Sequence, residues 1–209
     1  MVPTDPRSEL AQVWPIFGLV LESPRLRLRA ASARDIVAIG ANSYYGGGPR
    51  RGAAFTAAEL FARAVARSVA DWEVENWNIV FAVWRDDEIV GLQELSAHDF
   101  PRVRVVETPA WVVSEHRGEG IGQEMRRAVL HLAFHELHAA AAHADPLIDN
   151  QPAIQVNRRL GYTPRLDRAS PSDRLPMVLT QEAWRRASHL PVHVVRLGPC
   201  LPLFGIPSN

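Results

Sequence analysis

The sequence predicts an α/β fold: one mixed sheet with helices on its faces. Three observations carry that reading. The elements run strand, two helices, an antiparallel meander, then helix and strand in alternation, an order that suits a mixed sheet covered on both sides. The chain has 209 residues, enough for one domain with a sizeable core. Its composition, 47% apolar and 22% charged, is that of a soluble globular protein.

Taken in order, residues 1–24 are Pro-rich and read as an irregular lead-in. "RLRLR" (Arg25–Arg29) alternates and reads as a strand. Ser32 with Asp35 resembles a capping box and opens a helix through about Ser43. "YYGGGPRRG" (Tyr44–Gly52) breaks all regularity and reads as a mobile loop. Thr56 with Glu59 is a second capping box, and "ELFARAVARSVADW" follows at helical spacing. "NIVFAVWR" is a buried strand, "DD" a turn and "EIVGLQELS" the returning strand of a hairpin. "RVVETPAWVV" (Arg104–Val113) is the next strand, with Pro109 marking an edge or a bulge.

Ile121, Met125, Ala128, Val129, Leu132 and Ala133 then share one face of a helix that runs to about His138. Ala139–Ala144 is either a short buried strand or more helix. Asn150 to Leu160 is a helix stopped by Gly161. "YTPRLDR" and "RLPMVLT" read as strands and "QEAWRRA" as a short helix. This divides the chain into a lead-in (1–24), a main domain (25–187) and a C-terminal strand and tail (188–209). In the tail, "VHVVRL" suits a sheet edge. "CLPLFG" is apolar enough to cover a seam or a homodimer contact, and the sequence leaves both open.

Composition excludes several functions. Basic and acidic residues number 23 each, so no electrostatic case exists for nucleic acid or an anionic membrane. Every one of the 23 basic residues is Arg. Without lysine there is no P-loop lysine and no Schiff base. Cys200 is the only cysteine, so no intramolecular disulfide forms, which fits a reducing, cytoplasmic location. "MVPTDPRSEL" lacks a signal pattern, and no apolar run reaches spanning length. His131 and His135 have a spacing that can share a metal, but "HELH" lacks the metalloprotease spacing. A surface or packed helix face is the expectation there, and no metal.

The informative motif is "RGEGIG" (Arg117–Gly122), directly between a strand and an amphipathic helix. Small residues let a backbone close on an anion, which successive N–H groups and the helix dipole then hold. A Walker loop would need the missing lysine. A dinucleotide fingerprint would need glycine at Gln123 and an early position in a βαβ unit. The third pattern, Arg/Gln-x-x-Gly-x-Gly/Ala, is met by Arg117, Gly120 and Gly122, and there the anion is the pyrophosphate of coenzyme A. A plain strand-to-helix turn is the functionless alternative.

Four features together resemble the GNAT superfamily of acyl-CoA-dependent N-acyltransferases, in its RimJ/RimL-like branch. They are "SPRLRLRAASARD", "ETPAWVVSEHRGEGIGQEMRRAVLHLAF", "DNQPAIQVNRRLGY", and the order and spacing of these segments. The resemblance spans roughly residues 24–187. It implies a GNAT-like fold, a twisted sheet splayed at the cofactor site. Val112 and Val113 would then hydrogen-bond the pantetheine arm through their backbones. Arg117, Gly118, Glu119, Gly120, Ile121 and Gly122 would hold the pyrophosphate, and Asn150 would lie beside the pantetheine.

The implied chemistry is direct attack of a primary amine on bound acetyl-CoA, or on a larger donor such as succinyl-CoA. Glu107 is the candidate base, because alternation puts it on one face with Trp111 and Val113. A solvated strand residue is its other reading. Glu94, His98 and Asp99 are weaker candidates. His98 and Trp111, with Arg50 and Arg51 from the glycine-rich loop, are candidate acceptor-binding residues. Many family members place Tyr or Ser on the helix after Asn150 to protonate the leaving thiolate. Here those positions are Asn157 and Ile154, which leaves the general acid unassigned; Asn157 is the candidate donor to the sulfur. The expected acceptor is a small-molecule amine or a protein N-terminus. A non-catalytic CoA-sensing module is the competing class.

Overall fold

A computed structural model describes residues 6–32, 35, 63, 65–66, 69–165, 173–187 and 189–207. The helix expected up to Ser43, the Tyr44–Gly52 loop with Arg50 and Arg51, and the Thr56–Glu59 capping box lie outside the described residues.

Ten described strands form one sheet. In chain order they are β1 (Val20–Glu22), β2 (Arg27–Ala30), β3 (Trp77–Arg85), β4 (Glu88–Ala97), β5 (Val105–Glu107), β6 (Ala110–Val112), β7 (Ala141–Ala144), β8 (Thr163–Pro164), β9 (Met177–Thr180) and β10 (His193–Val195). The helices that matter below are α1 (Pro6–Val13), α2 (Phe100–Val103), α3 (Ile121–His131), α4 (Gln151–Arg159) and α5 (Gln181–Arg186). Across the sheet the order is β10-β1-β2-β3-β4-β5-β7-β9-β8, with β6 also on β4. Among the described strands only the β5–β7 pairing is parallel. No helix among the described residues is long and apolar enough to cross a membrane.

The hydrophobic pattern sorts the two faces. Phe81, Leu95 and Val106 turn to one side, where they meet Ile121, Met125 and Val129 of α3 and Leu132 just beyond it. Val80, Ala82 and Leu92 turn to the other, against Ala31 and Val65, with Trp111 packed alongside. The β3–β4 hairpin turns at Asp86 and Asp87 and carries an irregularity at Val83/Trp84. Ser32 N–H and Oγ–H both donate to Asp35 Oδ2 at 2.7 Å; the first is the reach-back bond of the expected capping box.

Two expectations change. Residues 6–24 are not an irregular lead-in: α1, a 3-10 turn (Pro15–Gly18) and β1 occupy them. Pro6 and Pro15 stand at helix starts, where the missing N–H costs little. Leu19 and Leu21 are fully buried, and β1 lies between β2 and β10. The tail is likewise part of the sheet and core. β10 extends the edge beside β1, with Val20 opposite Val195. The 3-10 segment Gly198–Phe204 buries Cys200 and Phe204. Phe204 packs edge-on against Trp72 and Trp77, and Trp72 Nε1–H donates to the Leu203 carbonyl at 2.9 Å. The apolar "CLPLFG" therefore covers a seam, and the lines drawn at 24 and 187 cut through a continuous sheet. "AAAAHA" resolves as strand: β7 is paired on both sides.

Candidate active site

The site is built where two parallel strands part. Val105, Val106 and Glu107 pair with Ala141, Ala142 and His143. The last link is Thr108 N–H to the His143 carbonyl, 3.2 Å. Beyond it β6 stays with β4 alone, while β7 continues with β9. The sheet opens into a V between β6 and β7.

Pro109 does not shift the register. Glu107 lies opposite Ser96 and Ala110 opposite Gln93, so one pairing frame runs through β5 and β6. The Pro109 carbonyl accepts from Glu94 N–H and from Gln93 Nε2–H, both at 2.8 Å. Alternation then holds across the break. Val106, Thr108 and Val112 turn toward α3; Glu107 and Trp111 turn the other way, beside Glu94 and Ser96 on β4.

The same frame decides which backbone groups face the V. Val113 N–H donates to the Val90 carbonyl at 3.0 Å, and the Val113 carbonyl accepts from His116 N–H at 3.0 Å. The Val113 N–H, expected to meet pantetheine, is therefore already engaged within the sheet. In an antiparallel ladder alternate residues bond the partner strand, so Val112 and Ala110 present theirs to the open side. The Val112 carbonyl there accepts from Arg117 Nε–H at 3.2 Å. This approach needs Gly91: a Cβ on it would lie 2.6 Å from the Trp111 carbonyl oxygen.

The loop follows directly. Gly118 and Gly120 have φ of 84° and 81°, which other L-residues adopt at a cost. Gly122 has no such φ, and a Cβ there would meet Val112 Cγ2 at an ordinary 3.4 Å. Gln123 and Glu124 donate to the Gly120 carbonyl. Among the described residues no partner accepts from the backbone N–H groups of Gly118, Glu119, Gly120, Ile121 or Gly122. Five successive free donors at the start of an 11-residue helix form a concave anion seat.

Charged side chains brace that seat. Buried Glu124 accepts from Arg25 N–H (2.9 Å), Arg25 Nε–H (2.7 Å) and Ser23 Oγ–H (2.8 Å). Arg25 Nη1–H also donates to the Glu119 carbonyl at 3.1 Å. Arg85 pairs with Glu119 at 2.5 Å and meets His116 Nδ1 at 2.9 Å. The hydrogen bond from Arg85 holds the Glu119 carboxyl below its usual range.

On the α3 side of the V lies a buried polar group. Thr108 Oγ1 donates to or accepts from Tyr162 Oη at 3.0 Å. Tyr162 N–H donates to the Asn157 carbonyl at 3.0 Å. Asn157 Oδ1 accepts from Arg126 Nη1–H, and its Nδ2–H is spent on Met177 Sδ at 3.7 Å. Asn157 is 1% exposed, Arg126 7% and Tyr162 2%. Burial lowers the Arg126 pKa and raises that of Tyr162, which the Arg126 charge partly offsets.

The opposite side is wetter. Glu107 is exposed and makes no side-chain hydrogen bond or ion pair with another described residue, while Glu94 and Ser96 are half-buried. His98 lies at the end of β4, exposed, with Nδ1 3.4 Å from Asn76 Oδ1. Asn150 caps α4, its Oδ1 accepting from Ala153 N–H at 3.2 Å. No group of three or more His, Cys, Asp or Glu among the described residues has metal-binding geometry.

The structure thus brings Glu107, Trp111, Val112 and residues 117–122 around one opening and sets His98 at the far end of β4. Sequence reasoning missed Arg25 and Arg85 at the seat, and Arg126 and Tyr162 inside. Arg25 carried a faint signal as the first residue of "RLRLR". Arg126 carried none, because its partner is 31 residues away.

A splayed mixed sheet with an N–H-lined loop at its opening is the architecture of an acetyltransferase domain. The chain belongs to the GNAT acetyltransferase family, whose acetyltransferase (GNAT) domain matches residues 25–163. Among solved structures it is similar to Mycobacterium smegmatis RimJ in complex with CoA-disulfide, at 20% identity. That match covers 83% of this chain and 91% of the other, with a TM-score of 0.63. It is also similar to a chimera of the spermidine N-acetyltransferase SpeG from Vibrio cholerae and hSSAT. Identity there is 17%, coverage 78% and 99%, and the TM-score 0.61. A dodecameric spermidine N-acetyltransferase from Vibrio cholerae matches at 18% identity, with coverage of 79% and 99% and a TM-score of 0.57.

Proposed function

We propose that this acetyltransferase moves an acyl group, most simply acetyl, from acyl-CoA to a primary amine by direct attack in a ternary complex. The observation that carries this is the row of five unpartnered N–H groups at Gly118–Gly122 beside an unpaired strand edge. The row suits a pyrophosphate and the edge suits an amide-bearing arm added like a strand. Val112 N–H is the donor for the arm, with Asn150 across the mouth of the V. Ala110 lies one step further in and is suited to polarise the thioester carbonyl.

The amine approaches from the wetter side. Glu107 takes its proton directly or through water, with Trp111 forming the floor. The spermidine enzymes named above make a polyamine the first acceptor class to try, beside the protein N-terminus and small amines expected from the sequence. Arg50 and Arg51 remain candidates for an acidic group on acceptor or donor. The expected setting is cytoplasmic, and a homodimer is an arrangement to test rather than a requirement of the site.

The test is thiol release from acetyl-CoA with a panel of polyamines, N-terminal peptides and small amines. Intersecting initial-velocity lines, with a new amide in the product, are the expected result. One feature favours a non-catalytic CoA-sensing module instead: residues 154 and 157 offer no hydroxyl to the leaving group. Tight CoA binding without turnover on any amine, and with succinyl-CoA equally inert, would establish that reading.

A further inference from the structure

Arg126 is a permanent cation inside the protein, and no described carboxylate pairs with it. Among the described residues its single hydrogen bond goes to the neutral amide of Asn157, and its buried Nε–H has no acceptor. Removing an unpaired charge from water is costly, so an ion kept in this state calls for an anion that arrives later. Tyr162, whose charge would act on Arg126, is a phenol held neutral by burial. Asn157 is weakly engaged on its donor side. A charge-assisted bond polarises its amide, yet its N–H reaches only a thioether sulfur at 3.7 Å, a weak acceptor.

The place of this pair suggests the anion. The open edge of β6 runs from the N–H seat inward to Thr108, where the parallel strands rejoin. From Thr108, at the closed end of the V, a hydrogen bond to the Tyr162 hydroxyl and another from the Tyr162 N–H to the Asn157 carbonyl lead to the pair. Arg126 is one turn beyond Gly122, about 6 Å along α3 at 1.5 Å per residue. An acyl donor anchored at the seat and laid along β6 carries its sulfur toward this end. The acceptor face, with Glu107, is on the other side of the same strand.

We propose that Arg126, held by Asn157, stabilises the leaving thiolate of coenzyme A as an ion pair, in place of a general acid. This rests on the acyltransfer reading above. The amine lone pair forms the C–N bond, and the carbonyl π pair moves to oxygen. When the oxyanion collapses, the C–S bond breaks and its electron pair leaves on sulfur. The ammonium proton goes to Glu107 or water on the opposite face. The sulfur takes no proton on the enzyme and is protonated from solvent after release. A cation without a counter-ion among the described residues gains its partner as charge develops, which is the differential binding that accelerates a step.

Asn157→Asp is the decisive variant, because it hands Arg126 a carboxylate of the same shape. Arg126→Met is the second variant, and two readouts are needed. The first is ultraviolet titration of the thiolate in the CoA complex. Free thiols titrate near about 8.5, and an opposite charge lowers such a value by about 1–3 units. The wild-type complex should show that shift and both variants should lose it. The second is kcat with the amine found active, which should fall about a hundredfold in Asn157→Asp while CoA still binds and Tm rises.

A merely structural pair predicts the rise in Tm with kcat and the thiol titration unchanged, and that result overturns the proposal. So does a loss confined to acyl-CoA donors with a terminal carboxylate, which would make Arg126 a reader of the acyl group. If CoA fails to bind the wild-type protein, the acyltransfer reading itself falls, a result distinct from either.

Discussion

Glu107 and Thr108 are neighbours on one strand, yet they face opposite chemistry. Thr108 turns to a nearly dry group in which Tyr162, Asn157 and Arg126 are linked to one another. Glu107 turns to an open face where its carboxylate has no described side-chain partner. The strand itself is continuous in register through Pro109, so the difference comes from alternation alone. A single parting of the sheet therefore offers a solvated side suited to receiving an amine and shedding its proton. The buried side is suited to holding charge as it forms.

The largest effect that would break this comparison is chemical. Glu107→Gln keeps the shape and removes the base. Turnover should fall about 10²–10⁴-fold with CoA affinity unchanged, as seen by steady-state rates beside calorimetric titration of CoA. Unchanged turnover would strip the open face of its assigned base.

Next comes Gly91→Ala. The new methyl would meet the Trp111 carbonyl oxygen at 2.6 Å, a backbone atom that cannot swing aside. Pushing β6 off β4 disturbs both faces at once. We expect a loss of about 1–3 kcal/mol in chemical denaturation, with weakened CoA binding. Full stability would mean that β6 is not set by this close approach.

A finer test separates the loop glycines. Gly120→Ala must hold a left-handed φ, at a cost of about 1–2 kcal/mol, and should loosen the seat. Gly122→Ala has ordinary φ and ordinary room, and should leave Tm and CoA affinity nearly as they are. Equal effects from the two would contradict the seat geometry.

The smallest effect lies off both faces and serves as a control. His131 is held below its usual pKa by burial first and by the neighbouring charge of His135 second, with Glu136 opposing. The folded state therefore binds this proton less readily than the unfolded chain, whose value is near about 6.5. Stability is full above that value and declines as pH falls through the lower folded one. A Tm–pH profile should show that acid-side slope, and His131→Gln should flatten it without touching transfer activity at neutral pH.

What was legible in the sequence was local. The "RGEGIG" loop, the Ser32–Asp35 pair and the 3.6-residue stripe of α3 depend on neighbours within a turn, and the structure carries all three. What was not legible depended on distant partners. Val113 looked available for pantetheine, but its N–H belongs to Val90 across the sheet. The N-terminal segment looked irregular because the strand that completes it, β10, comes from the opposite end of the chain. Asn157 looked like a lone substitute for a hydroxyl. Its meaning changes once Arg126 is found bonded to it from α3.

The measurement that tests the central claim most directly is thermal unfolding with CoA, acetyl-CoA, succinyl-CoA, ATP and NAD. A ligand at about a hundred times its Kd stabilises a fold by roughly 2.7 kcal/mol, an easily read rise in Tm. The account predicts that rise with the CoA species and none with NAD, and its loss in Gly120→Ala. No shift with any CoA species would reduce the Gly118–Gly122 loop to a strand-to-helix turn and contradict the account.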